Sequence, residues 1–138
     1  MDKMTVGRLG EQFAADLLRE KGYEIVGMNV YAGHGETDIV ARKGEVLVFA
    51  EVKTRHAVKG HTKVYGAPKD AVDRRKQENL VRTAEEFLRQ HPEFSECYPR
   101  IDVIEVYLDS SHRPSHTEHY ENAVRKRNLR QNNKNIQY

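Results

Sequence analysis

At 138 residues, with 38% hydrophobic and 32% charged side chains, the chain is long enough for one domain with its own core. No apolar run approaches a membrane span, and the N-terminus lacks the apolar segment of a secretion signal. The single cysteine, Cys97, can form neither an intrachain disulfide nor a cysteine-rich zinc site, so a cytoplasmic location without a membrane partner is expected. The net charge of +2 hides an asymmetry: Arg125 to Tyr138 carries five cations and no acid, leaving −3 on the rest. We expect one domain over residues 1–124 and a basic, disordered tail over 125–138. Such a tail either grips a phosphate backbone in a salt-sensitive way or merely solubilises the chain.

The first predicted element is a helix from Thr5 to Lys21, with Thr5 as N-cap and Gly22 as stop. Leu9, Phe13 and Leu17, with Ala14 and Leu18, form its apolar arc. Glu11 lies about 20° from Leu18 around the helix, at the edge of that arc. It reads either as an early acid facing the helix dipole or as an acid leaning into a site. Tyr23 to Tyr31 predicts a first strand and Gly33 to Gly35 a tight connection. Strands over Thr37 to Ala41 and Val46 to Thr54 follow, joined by a hairpin turn at Lys43-Gly44-Glu45. The unbroken apolar run Val46 to Ala50 suits a central strand buried on both faces.

His56 to Pro68 is a polar loop holding Lys59, His61, Lys63 and Tyr65, which either meets a substrate or is simply solvated. Lys69 to Gln90 predicts a second long helix with a stripe of Val72, Lys76, Leu80, Ala84 and Leu88. Lys76 in that stripe either lays its methylenes on the core or presents its ammonium to a phosphate, with Gln77 beside it. Ile101 to Leu108 predicts a strand. His116 to Tyr120 predicts a short edge strand leading into Glu121-Asn122-Ala123. His112, His116 and His119 have a zinc-like spacing but no obvious acid or cysteine beside them, so they read as solvated edge-strand side chains. There is no Walker loop, dinucleotide fingerprint or Ser-His-Asp set.

The chemistry concentrates on the two middle strands. Side chains alternate along a strand, so Glu51 and Lys53 share one face, and Glu36 and Asp38 share a face of the neighbour. An antiparallel pair can bring Asp38, Glu51 and Lys53 together. Two carboxylates suit Mg²⁺ or Mn²⁺, which take oxygen ligands and keep several waters. A lysine beside them adds positive charge for a phosphoryl transition state. The plainer alternative is an ordinary hairpin with solvated charges.

Asp38, twelve residues, then Glu51-Val52-Lys53 resembles the PD-(D/E)XK nuclease motif, with Thr37 where the motif's name puts proline. A fuller match spans about residues 5–124. Gly7-Arg8-Leu9-Gly10-Glu11, Gly35-Glu36-Thr37-Asp38, Val48 to Arg55, Arg75-Lys76-Gln77 and Glu121-Asn122-Ala123 resemble the ordered motifs of the bacterial YraN-type family. That family is described as endonuclease-like and similar in fold to archaeal Holliday junction resolvases.

The resemblance implies an α/β, restriction-endonuclease-like mixed sheet flanked by helices, in the order αβββαβ plus a short edge strand. It implies a metal-dependent endonuclease acting on DNA, branched DNA included, with Mg²⁺ or Mn²⁺ as cofactor. Asp38 and Glu51 would ligate the metal and Glu11 would be a further acidic ligand, with Lys53 catalytic and Glu36 behind Asp38. Lys76, Gln77 and Arg55 would hold phosphate or substrate. A homodimer follows by analogy with resolvases, which need two sites for symmetric cuts. Two alternatives stay open: a DNA-binding module that keeps the fold without turnover, and an interaction protein whose acid-lysine cluster is a structural ion pair.

Overall fold

A computed structural model describes residues 3–56 and 73–125; residues 57–72, which include most of the expected polar loop and the expected start of the second helix, and residues 126–138 of the expected tail lie outside the described residues. Its elements are α1 (Lys3–Glu20), β1 (Glu24–Ala32), β2 (Gly35–Lys43), β3 (Val46–His56), α2 (Arg74–Gln90), a 3₁₀ turn (Pro92–Phe94), β4 (Tyr98–Leu108) and β5 (Pro114–Val124). The five strands form one sheet in the order β1-β2-β3-β4-β5. β1, β2 and β3 pair antiparallel, β3 and β4 pair parallel, and β5 returns antiparallel to β4. A parallel pair needs a crossover, and α2 lies on it. The fold is therefore the expected α/β mixed sheet.

Each sheet face buries one core. Val40, Leu47, Phe49, Ile101 and Val103 pack with Leu80, Val81, Ala84 and Phe87 of α2. Ile39, Ala41, Val48, Ala50, Ile104 and Val106 pack with Ala14, Ala15 and Leu18 of α1. β3, in the middle, is buried from Leu47 through Glu51, as its apolar run predicts.

Two glycines bring the helices close. A Cβ at Gly10 would overlap the Thr54 hydroxyl, and a Cβ at Gly35 would overlap that of Thr83. A side chain at either position would push a helix away from the sheet.

Several boundaries differ from the sequence reading: β2 and β3 run longer, and β4 starts at Tyr98, inside the loop expected before Ile101. α1 begins by Lys3, so Thr5 lies inside it and is not its cap. α2 begins at Arg74 rather than Lys69, because Asp73 is extended and its carboxylate accepts the Lys76 N–H at 2.8 Å.

The last strand is also not short, since β5 runs 11 residues. Asn122, at φ 54, forms an irregularity in the β4–β5 register, and its N–H donates to Asp102 Oδ1 at 2.9 Å. The strand then continues to the buried Val124.

Asp102 anchors that region. It is fully buried and takes 2.9 Å bonds from both Arg100 Nε and Nη2, and one from His119 Nε2 at 2.7 Å. Burial pushes its carboxyl up, but the bonds from His119, Arg100 and the Asn122 N–H outweigh that and hold it below the ordinary value. Arg100 continues to the Tyr23 hydroxyl at 2.6 Å, and Lys21 Nζ lies 2.8 Å from His119 Nδ1. The His119 side chain is thus 2% exposed, not solvated as the sequence suggested.

Candidate active site

The site forms where the sheet splits. β2 and β3 pair only as far as Ile39↔Ala50. Beyond that point β2 stays with β1 to Gly35, while β3 stays with β4 to His56. A split leaves backbone groups in need of partners. Asp38 Oδ2 accepts the Val52 N–H at 2.8 Å, and Thr37 Oγ1 donates to the Ala50 carbonyl at 3.5 Å. Thr37 is buried, and the proline of the motif's name would offer no such hydroxyl.

Glu51 sits at this split with its side chain 7% exposed. Strand alternation places it and Lys53 on the face of Phe49, toward α2. Lys53 Nζ lies 3.6 Å and Lys76 Nζ 3.4 Å from Glu51 Oε2. The Asp73 cap fixes the first turn of α2, and Lys76 reaches Glu51 from there.

Asp38 lies near enough to Glu51 for the charge of one carboxylate to bear on the other. Burial, and then the Glu51 charge, raise the Asp38 carboxyl from 3.8 to about 7; the Val52 N–H opposes the rise, and the more remote Glu11 adds to it.

Glu11 comes from α1, on the other face, and acts on Asp38 through its field. Its position follows from the close seat of Gly10 on Thr54. Its Oε1 accepts from Asn29 Nδ2 at 3.1 Å. Asn29 stands across from Asp38, between the pairs Met28↔Ile39 and Val30↔Thr37, with φ 49. The sequence reading missed it. The signal was an asparagine in mid-strand, where the residue type is disfavoured but tolerates a left-handed backbone.

The remaining candidates are placed around this core. Glu36 stands opposite Tyr31, whose hydroxyl its charge pushes up, and it is not among the groups that perturb Asp38. Gln77 is half-buried in the first turn of α2, its N–H on the Asp73 carbonyl at 2.9 Å. Arg55 lies four residues beyond Glu51, about 13 Å along the strand. Its Nε is 3.3 Å from Oε2 of the fully buried Glu105, which ties it to β4.

Among the described residues, no three His, Cys, Asp or Glu side chains form a ready-made metal cage. The pair Asp38 and Glu51 still fits Mg²⁺ or Mn²⁺, because such ions use one or two carboxylates and complete their shell with water and phosphate. Burial first, and then the Glu51 charge, disfavour the Asp38 carboxylate, and a cation bound there would offset both. Glu11, held by Asn29, bears on the same carboxyl from farther out.

A sequence model described as "Uncharacterised protein family UPF0102" matches residues 10–106. A UPF0102 protein of Caldicellulosiruptor saccharolyticus is 40% identical over 109 residues, covering 79% of this chain and 87% of the relative. One from Dictyoglomus thermophilum is 37% identical over 112 residues, covering 80% and 89%. Among solved structures, Pyrococcus furiosus SfsA in complex with Ca²⁺ aligns with a TM-score of 0.38 and 13% identity. That alignment covers 87% of this chain, which spans 64% of the SfsA chain.

Proposed function

The chain belongs to the UPF0102 family, and we propose that it is a metal-dependent endonuclease that hydrolyses phosphodiester bonds in DNA. The observation that carries this reading is the gathering of Asp38 and Glu51 at the split, with two lysines at 3.6 and 3.4 Å from Glu51 Oε2. With Glu51 buried and Asp38 half-buried, such an acid pair is costly for a fold that needs only stability, and it suits a fold that must hold a cation.

Asp38 and Glu51 would hold a Mg²⁺ or Mn²⁺ ion, and Glu11 would tune it from α1. Bound there, the ion neutralises phosphate charge and makes water a better nucleophile at neutral pH. Lys53 orients the attacking water and offers its charge where negative charge builds in the transition state. Lys76 holds the scissile phosphate from the other side of Glu51. The Val52 N–H keeps Asp38 aimed into the split.

One observation favours a second reading. Lys53 and Lys76 already offer Glu51 two cations, which permits a structural ion cluster without turnover. A cleavage screen separates the two. Branched, flapped, single-stranded and duplex DNA are incubated with Mg²⁺ or Mn²⁺, with Glu51→Ala from a parallel preparation as control. The nuclease reading expects cleavage that stops in EDTA and in Glu51→Ala. No cleavage of any of these DNAs by the wild type would leave the structural cluster.

A further inference from the structure

The sheet face that carries Glu51 also carries a second charged cluster, farther along β3. Strand alternation turns Glu51, Lys53 and Arg55 to that one face. β4 runs parallel beside them, with Glu105 level with Lys53 and Tyr107 level with Arg55. Glu105 is fully buried, and neither of its oxygens makes a hydrogen bond. Its ion-pair partner is Arg55, whose Nε lies 3.3 Å from Oε2. Lys53 is turned to Glu51 instead, at 3.6 Å. Tyr107 and Tyr120 lie nearby: burial first, and then the Glu105 charge, push both hydroxyls up, yet neither hydroxyl bonds the carboxylate.

Asp102 shows how this fold treats a carboxylate that serves stability. It is equally buried, and it accepts bonds from Arg100, His119 and the Asn122 N–H. Glu105 has no such bonds, so its burial costs the fold more than one ion pair returns. What the carboxylate does achieve is to hold one edge of one guanidinium.

The other edge is open. The Arg55 side chain is 39% exposed although its Nε is buried. Nη1 and Nη2 hydrogen-bond no described residue and reach the surface. A guanidinium held at Nε, with its outer nitrogens open, is set to meet two oxygens of a phosphate at once. Arg55 stands about 13 Å beyond Glu51 along the strand. With a rise of about 3.4 Å per nucleotide, that is a few nucleotides along a DNA strand.

We propose that Glu105 is a positioning residue: its buried carboxylate holds Arg55 so that the guanidinium grips a DNA phosphate a few nucleotides from the one that is cut. The proposal rests on the nuclease reading and adds to its site a backbone contact that sets the register of the DNA over the acid pair.

The test reads binding apart from cleavage. Fluorescently labelled duplex DNA is titrated in Ca²⁺, in place of Mg²⁺, at several salt concentrations. The proteins are wild type, Glu105→Gln, Arg55→Ala and the double variant. Glu105→Gln removes a negative charge near the DNA, so a bystander carboxylate predicts tighter binding. Positioning predicts weaker binding, with the slope of log affinity against log salt flattened by up to about 0.9, the value for one phosphate. Arg55→Ala should flatten it by about 0.9, and the double variant should bind no more weakly than Arg55→Ala, because the two residues act as one unit. Glu105→Gln keeps the side chain's shape and leaves the outer end of Arg55 in water, so its thermal midpoint should match or exceed that of wild type. The double variant strands no buried charge and replaces Arg55→Ala in the comparison if the latter unfolds. In Mg²⁺, Glu105→Gln should raise KM more than it lowers kcat, a split that a merely loosened fold would not produce. Binding by Glu105→Gln as tight as wild type or tighter, or a wild-type salt slope in Arg55→Ala, would overturn the proposal. Either result alongside wild-type cleavage would leave the nuclease reading standing. The expected slopes without cleavage in any metal would retain the positioning role and defeat the nuclease reading. A wild type that neither binds nor cuts DNA would defeat both.

Discussion

Asp38→Asn is expected to stabilise the metal-free protein while abolishing its response to divalent cations. Burial and the Glu51 charge raise the Asp38 carboxyl from 3.8 to about 7. The folded state therefore binds more protons than the unfolded state between those values, and wild-type stability falls as pH rises through that window. At about 1.4 kcal/mol per pH unit, the full rise sets a ceiling of about 4 kcal/mol on the penalty at pH 8. Relaxation of Glu51 and water in the split reduce it, so the amide should gain ~1–3 kcal/mol. Its oxygen still accepts the Val52 N–H, and its NH₂ can donate to Glu51. The assay is thermal unfolding in EDTA from pH 4 to pH 8. The midpoint of Asp38→Asn should exceed that of wild type by ~3–6 °C per kcal/mol at pH 8, with the gain fading toward pH 4. Mn²⁺ should then raise the wild-type midpoint only, since a ligand selective for the folded state stabilises it. A destabilised variant at pH 8, or a gain that does not change with pH, would refute this reasoning.

Three further outcomes follow. Lys53→Ala should lose about 10²- to 10³-fold in cleavage rate, the range for removing one transition-state donor, while its metal-induced midpoint shift persists; single-turnover kinetics with a parallel thermal scan checks both. Asp102→Ala should cost ~3–5 kcal/mol, because it takes the main partner from a half-buried guanidinium and strands a buried imidazole and the Asn122 N–H. Denaturant unfolding measures that loss, and hydrogen exchange should quicken at Asn122 and along β5. Deleting residues 125–138 should flatten the slope of log affinity for duplex DNA against log salt, by about 0.9 for each phosphate that the tail neutralises; identical slopes would make the tail a bystander.

Much of this architecture is legible in the sequence because its signals are local. The apolar run Val46 to Ala50 marks the central strand, and alternation aligns Glu51 with Lys53. The arcs of both helices follow their apolar spacing. What the sequence hides depends on bonds between distant residues. The full length of β5 rests on Asp102 bonding Asn122, twenty positions away. The same carboxylate buries His119, whose spacing from other histidines suggested only a solvated edge. The start of α2 is hidden although Asp73 carries an N-cap signal, because the apolar stripe extends back to Val72 and masks it. Asn29 is invisible because its role appears only once the helix α1 brings Glu11 to it, 18 positions away in sequence. Glu36 shows the limit of alternation: sharing a strand face with Asp38 does not make it that residue's partner, since its charge bears on Tyr31 across the strand pair and not on Asp38.

The most direct test of the account is a Mn²⁺ titration followed by electron paramagnetic resonance, with wild type, Asp38→Asn, Glu51→Gln and Lys53→Ala side by side. The account predicts a bound-Mn²⁺ signal in wild type and in Lys53→Ala, and its loss in Asp38→Asn and Glu51→Gln. Identical binding curves for all four proteins would contradict it, because the ion would then be held without the two carboxylates at the split.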